Sequence, residues 1–382
     1  MRSNYKPLGD YIEQVKARNT DGQISELRGV SIEKFFMPSV ANIHGVDLSK
    51  YKVVTTGEFA FNPMHVGRDK VLPISLHTGK EPVIVSPAYT VFRMSDEKLL
   101  PEYLMMWCSR PEFDRNAWFK TDGNVRGGLP WDDFCEITMP VPAIEEQQRI
   151  LSEYKAITSR IKLIKRLNKS LEDSLQTVFN EILHAKDYEG EWRDVQISSV
   201  CDFLSGFPFK SDHFSPSGDY GLITIRNVGD GRFNNVPANR ISINGLNFPD
   251  HVRIKEGDML LSLTGNVGRV CIAFGDNLLL NQRVAKLVPH AGYRGFIYCM
   301  FRQSIFQNEL IAMSSGTAQL NLSPIKLKNL TIKLPPEILR LRFEDKARKL
   351  LDYSLSIQKE MAELNKLLEL LLAKMTTEGN LV

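Results

Sequence analysis

The chain has 382 residues, 43% of them hydrophobic and 24% charged, with a net charge of +3; that is length enough for two domains with their own cores and too apolar for a disordered polymer. No apolar run nears the roughly 18–20 residues that span a bilayer, and the start "MRSNYKPLGDYIEQVKARN" lacks the apolar stretch of a signal peptide. Five cysteines (Cys108, Cys135, Cys201, Cys271, Cys299) show no CxxC spacing, which argues against a disulfide framework or a zinc site and for buried free thiols in a reducing cytoplasm.

Charge divides unevenly along the chain. Residues 1–142 carry 17 Lys+Arg against 18 Asp+Glu, residues 190–335 carry 15 against 11, and 143–189 and 336–382 are each balanced at 8 against 8. If the first domain holds nucleic acid, it must use a local basic patch or a partner, because its bulk charge is slightly negative.

In chain order, "TTGEFAFNPMHVGR" (Thr55–Arg68) reads as a Gly-acid turn, an apolar strand and a loop ending in Gly-Arg. "YLMMWCSRPEF" (Tyr103–Phe113) has amphipathic helical spacing, and "DGNVRGGLPWDDFCEITMPVP" (Asp122–Pro142) ends in apolar–polar alternation closed by proline. A heptad series follows at Ile150, Tyr154, Ile157, Ile161, Ile164, Asn168, Leu171, Leu175, Val178 and Ile182, predicting one helix over 143–186. The same series of elements then recurs. "KEGDMLLSLTGNVGR" (Lys255–Arg269) answers the first segment, "FIYCMFRQSIF" (Phe296–Phe306) the second, and "SGTAQLNLSPIKLKNLTIKLPP" (Ser315–Pro336) the third, the last two at an offset of 193 residues. Adding 193 to the heptad positions gives Phe343, Ala347, Leu350, Ser354, Ile357, Met361, Leu364, Leu368, Leu371 and Met375, a second helix over 336–376. Asn168 and Ser354 interrupt the two seams, either to fix register or as solvated gaps. Leu167, Phe179, Leu351, Leu367 and Leu372 widen the apolar stripe beyond a two-stranded seam.

The expected architecture is α+β (mixed α/β): two similar globular domains, 1–142 and 187–335, separated by a long antiparallel coiled-coil pair with a pseudo-twofold internal repeat. A 377–382 tail completes the division. A helix over 143–184 would run about 60 Å at 1.5 Å per residue. Pro142 and Pro335-Pro336 should stop each strand and start each helix. Two related but unequal domains at a fixed spacing suit a duplex with two unequal half-sites, since protein symmetry and half-site spacing mirror each other.

These residues resemble the specificity (S) subunit of type I restriction-modification systems. The resemblance covers the whole chain and is carried by "EGDMLLSLTGNVGR", "LLLNQRVAKLVP" (Leu278–Pro289), "SSGTAQLNLSP", "IKLPP", "VSPAYTVF" and "MPVPAIEEQQRI" in combination. The second helix opens with "ILRLRF" where the first has Glu-Gln-Gln. The resemblance implies that 1–142 and 187–335 are target-recognition domains 1 and 2, each reading one half of a bipartite asymmetric site in double-stranded DNA. It implies that the spacer helices dock two methyltransferase (M) subunits, that restriction (R) subunits can join, and that S-adenosylmethionine, ATP and Mg sit on those partners.

Chemistry on this chain itself finds little support in the sequence. "NPMH" (Asn62–His65) and "SPAY" (Ser86–Tyr89) only approximate the Asn/Ser-Pro-Pro-aromatic motif of amino-methyltransferases, and no Gly-rich cofactor loop opens a βα unit. No GxxxxGK[ST] loop is present, and neither the histidines nor the acids cluster as metal ligands or a nuclease site. The alternative of a fused or solitary adenine methyltransferase is therefore disfavoured, and no cofactor or metal is expected on the chain.

DNA contacts should come from loops. Arg68 and Lys70 in the first half and Arg269 in the second occupy comparable loops; "TGNVGR" either presents N–H groups and a guanidinium to phosphate or guanine, or makes a tight hairpin with Arg269 pairing a surface acid. Arg126 and Gln319 match across the repeat, as reading residues or strand-edge side chains. Arg283 follows Gln282 at a strand start, with Asn281 a candidate turn former. Tyr89 and Trp118 either stack on bases or belong to the core. Lys210, Arg226 and Arg232 fall in the part of the second half that diverges from the first, where half-site-specific reading should reside.

Overall fold

The computed structural model describes residues 5–39, 45–121, 128–184, 191–243, 245–316 and 320–377. Two compact units emerge: 1–159 with 366–382, and 160–365.

In the first unit the strands are short. In chain order they are β1 (Tyr5–Pro7), β2 (Ile12–Val15), β3 (Arg28–Val30), β4 (Phe36–Pro38), β5 (Lys52–Val54), β6 (Phe59–Phe61), β7 (Ile74–Leu76), β8 (Val83–Val85), β9 (Thr90–Met94) and β10 (Thr138–Pro140). Helices α1 (Val66–Asp69), α2 (Pro101–Cys108), α3 (Pro111–Phe119) and α4 (Trp131–Cys135) are interspersed, and α5 (Ile144–Leu183) follows β10. The central sheet is antiparallel in the order β2-β9-β6-β7, while β3 pairs with β4, β5 with β8 and β1 with β10. Phe59, Phe61, Phe92, Phe113 and Phe134, all nearly fully buried, make its core with α2, Ile150 and Leu151 of α5, and Leu371 and Met375.

The second unit repeats this plan. Its strands are β11 (Arg193–Gln196), β12 (Cys201–Ser205), β13 (Tyr220–Ile223), β14 (Asn239–Ile241), β15 (Arg253–Ile254), β16 (Met259–Ser262), β17 (Val270–Ile272), β18 (Leu278–Leu280), β19 (Val284–Pro289) and β20 (Thr331–Leu334), with helices α6 (Arg294–Arg302), α7 (Ser304–Met313), α8 (Pro324–Lys328) and α9 (Glu337–Thr377). The sheet order β12-β19-β16-β17 reproduces β2-β9-β6-β7, and β11–β20 reproduces β1–β10. The starts of α2, α3 and α4 and those of α6, α7 and α8 differ by the same 193 residues read from the sequence. The Gly-acid turn recurs in atomic detail. Gly57 and Gly257 share φ +86, and their amides donate to His77 O at 2.8 Å and Ala273 O at 2.9 Å. The acid that follows caps the turn, Glu58 accepting from Thr55 N and Asp258 from Lys255 N, both at 2.7 Å. A side chain at φ +86 is strained, which explains the glycine in both halves.

The two units differ in what they add to this shared framework. The first has the small β3–β4 and β5–β8 pairs, whereas the second has a second four-stranded sheet, β14-β13-β18-β15. The Gly-Arg segments also part company. Val267-Gly268-Arg269 closes a hairpin, with Gly268 N to Ser262 O at 3.0 Å and Ser262 N to Arg269 O at 2.9 Å, but Val66-Gly67-Arg68 lies in the helix α1 instead of a loop. The first segment carries an extra turn, Pro63–His65, whose N-cap Asn62 accepts from Met64 N at 3.0 Å, and this turn runs on into α1.

Within the second unit the long helices run side by side in opposite senses: Arg160 meets Glu360, Asn168 meets Ser354 and Phe179 meets Phe343. The two polar interruptions are therefore each other's partners, Ser354 Oγ donating to Asn168 Oδ1 at 2.7 Å. Of the heptad positions, Ile150, Ile161, Ile164, Leu175, Phe343, Ile357 and Leu371 are buried, and Tyr154, Ile157, Leu171, Leu350, Leu364 and Leu368 half-buried. Phe179 and Leu351 are buried with them, while Leu367 is 51% exposed. Each helix covers more than its mate, because α5 and α9 also complete the domain cores.

The joint between domain and helix uses different chemistry in the two halves. Gln147, fully buried, accepts from Leu100 N at 2.9 Å and donates to Lys98 O at 2.7 Å and Pro142 O at 2.8 Å. Arg340 stands 193 residues on. It donates to Gly292 O and lies 3.9 Å from the Tyr293 ring centroid. Both tie the first turn of a long helix to the loop before the amphipathic helix, so the missing Glu-Gln-Gln triplet is replaced in role.

The five cysteines are free. Burial pushes Cys108 and Cys201 up to about 12 from the ordinary 9.0, and raises Cys135, Cys271 and Cys299 as well. A thiol raised on folding adds stability that is fully present below its unfolded value and is lost as pH rises through the folded one. We expect no alkylation of Cys108 or Cys201 by iodoacetamide at pH 8 in the native chain, and complete alkylation in denaturant, read by intact mass. Reaction of either in the native state at the denatured rate would contradict this packing.

Candidate nucleic-acid interface

The basic candidates are distributed over both units, and most are surface side chains. Arg68 is exposed and bonds its neighbour Asp69, Nε to Oδ1 at 2.7 Å. Lys70 has φ +55 and places Nζ 4.8 Å from the Trp118 ring centroid. The Trp118 ring packs on the first core and is half-buried. Tyr89 is likewise half-buried on the small cluster under β3 and β8, where its hydroxyl accepts from Val30 N at 3.3 Å. Arg126 and Gln319 lie outside the described residues.

In the second unit Lys210, Arg226, Arg232, Arg269 and Arg283 are all exposed. Asn281 is a turn former: its Oδ1 accepts from Arg283 N at 3.1 Å. Arg226 and Arg232 share one loop, 224–236. Asn227, 3% exposed, staples it, accepting from Thr224 N at 3.0 Å and donating to Asn234 O at 2.9 Å and Val236 O at 3.0 Å. Val228 and Phe233 bridge across it, and Gly229 N reaches Arg232 O at 2.9 Å, so Arg232 closes a tight hairpin tip.

Sequence reasoning missed the side chains under this loop. Arg302 contacts Asp230 and donates from Nε to Glu172 Oε1 at 2.8 Å, and Tyr298 Oη donates to Glu172 Oε2 at 3.1 Å. Burial alone would pull the Arg302 guanidinium down; Glu172 and Asp230 outweigh it, and the net shift is upward. Burial first, then Glu172, raises the Tyr298 phenol well above its usual value. The available sequence signal was faint: Ser354 and Gln358 are an i,i+4 polar pair on an apolar helix face.

The two near-matches to a methyltransferase motif have local structural duties. Asn62 is the helix cap described above, and Ser86–Tyr89 is a turn closed by Tyr89 N to Ser86 O at 3.0 Å. Among the described residues no His/Cys/Asp/Glu group is arranged to hold a metal ion, and no helix is long and apolar enough to cross a membrane.

Residues 189–338 match the family model of the type I restriction modification DNA specificity domain. The type I restriction enzyme MjaVIII specificity subunit of Methanocaldococcus jannaschii is 24% identical over 356 residues, covering 86% of this chain and 81% of that protein. By domain content, residues 189–338 are similar to a type I DNA specificity domain. The HindI specificity subunit of Haemophilus influenzae matches over 150 residues at 22% identity, 38% of this chain and 32% of that one. A solved S subunit of a type I restriction-modification system from M. genitalium shares the fold, with a TM-score of 0.59 at 14% identity over 97% of this chain and 95% of that one. The matched residues, 189–338, take in the second unit's sheets and the exposed Arg226, Arg232, Arg269 and Arg283.

Proposed function

We propose that the chain is the DNA-reading subunit of a type I restriction-modification complex and has no catalysis of its own. Domain 1 (1–142) and domain 2 (187–335) each read one half of a bipartite, asymmetric site. The helices over 143–186 and 336–376 hold two methyltransferase subunits, to which restriction subunits can be added. The assembly works in the cytoplasm, with S-adenosylmethionine, ATP and Mg on the partner subunits. The observation that carries this reading is one sheet framework used twice, β2-β9-β6-β7 and β12-β19-β16-β17, with unlike insertions beside it. A shared framework with unlike loops is what two unequal half-sites require.

Binding to duplex DNA should weaken steeply with salt, by about a thousandfold between 50 and 200 mM if six phosphates are neutralised. A randomised duplex library should yield a two-part motif with an unread centre. Methyl transfer by the purified chain alone, with S-adenosylmethionine supplied, would discard the non-catalytic reading. Salt-independent binding would discard the DNA-reading one.

A further inference from the structure

The loop carrying Arg226 and Arg232 is fastened to the helix pair by two polar connections, the first through buried side chains. The first starts at the loop backbone: Phe233 N donates to Gln358 Oε1 at 3.3 Å, Gln358 Nε2 donates to Ser354 Oγ at 3.2 Å, and Ser354 Oγ donates to Asn168 Oδ1 at 2.7 Å. Gln358 is 4% exposed and Ser354 8%. The second connection runs from Asp230 at the hairpin tip through Arg302 to Glu172 of α5, and Gln307 Nε2 also donates to Asp230 Oδ1 at 3.0 Å.

We propose that Gln358 and Arg302 are positioning residues for DNA recognition, holding the 224–236 loop to α5 and α9 so that the helix pair sets where Arg226 and Arg232 project. The proposal rests on the DNA-reading role above. Fixing helix register requires only the Asn168–Ser354 bond. Gln358 goes further and gives its carbonyl oxygen to the loop, not to α5. The tip is shaped for its seat as well. Gly231 has φ +71, its amide reaches Val270 O at 2.8 Å, and a Cβ there would stand 2.9 Å from Arg302 Nη2. Phe233 is 7% exposed, with its ring centroid 5.5 Å from that of Phe274, so the anchored amide and the anchored ring act on one residue beside Arg232. A strain or shift in the helix pair is thereby transmitted to the loop through hydrogen bonds, those of Gln358 and Ser354 being buried.

The test uses the full chain, purified with whatever subunits accompany it, and a randomised duplex library. Gln358→Met keeps the buried volume but leaves the Phe233 amide without an acceptor. Asp230→Asn, at a side chain 44% exposed, weakens the second connection without disturbing the core and serves if the first variant does not fold. Arg160→Ala breaks a surface pair on the same helices and is the control. We expect Gln358→Met and Asp230→Asn to lose sequence preference in one half of the selected motif, with about tenfold weaker binding to the selected duplex. The other half should be intact, and Arg160→Ala should select the parental motif. Retention of the full motif at parental affinity in both variants, or equal loss of both halves, overturns the positioning role. If the parental chain selects no motif, the reading role itself fails and this proposal falls with it.

Discussion

Truncating Phe179 to alanine should lower the unfolding free energy of the second unit by about 3–5 kcal/mol, the range for emptying a buried aromatic site. Phe179 is 1% exposed, and its ring centroid lies 5.4 Å from that of Phe296 on α6 and 5.4 Å from that of Phe343 on α9. Three helices meet at this one side chain, so the cavity cannot collapse from any single direction. Hydrogen exchange read by mass spectrometry separates the units. Peptides from α6 and β19 should lose protection in Phe179→Ala, while those from β6 and β9 keep theirs. Equal loss in both units would mean that the first unit does not hold its core independently. No loss in either would mean that α5 is a spacer lying against the domain and not part of its core.

Much of this architecture was legible because the chain states it twice. Leu129 and Leu322, matched at an offset of 193, are 1% and 0% exposed. The proline-ended strands stand at β10 and β20, and the amphipathic segments became α2–α3 and α6–α7 in register. Heptad spacing fixes which face of a helix is buried, so most seam positions could be named from local pattern. Non-local pairing left no such trace. Strand β1 joins β10 and β11 joins β20 across 130 residues or more, and three-residue strands are too short to show alternation. The helical turn at Arg68 was missed because Gly-Arg reads identically whether it ends a hairpin or a helix. Gln147 and Arg340 share a duty while differing in type, which a search for repeated letters cannot find. The polar set beneath the 224–236 loop brings together residues 125 to 130 apart, as in Phe233–Gln358 and Glu172–Arg302. Each member alone looks like an ordinary helix-surface polar residue.

That polar set also yields the other large effect. Removing Glu172 with Glu172→Ala should cost about 3–5 kcal/mol, because it leaves the Arg302 guanidinium buried without its main counter-charge. The Arg302 side chain is 12% exposed and that of Glu172 16%, with Nε to Oε1 at 2.8 Å. Tyr298 Oη loses an acceptor in the same step. Desolvation, not pair attraction, dominates this cost, and the double variant shows which. Glu172→Leu with Arg302→Met replaces both charges by apolar side chains of similar length. The Asp230 carboxylate that Arg302 also contacts is 44% exposed and keeps Gln307 Nε2 as a donor, so no buried charge stays behind. The double variant should recover at least about half of the loss, as buried ion pairs exchanged for packing commonly do. Equilibrium denaturation of the Glu172→Leu and Arg302→Met single variants and of the double variant closes the cycle. If the double variant is instead as unstable as both single changes added together, the pair contributes no coupling. Glu172 and Arg302 would then stabilise the unit through separate contacts, Glu172 through Tyr298 and Arg302 through Asp230.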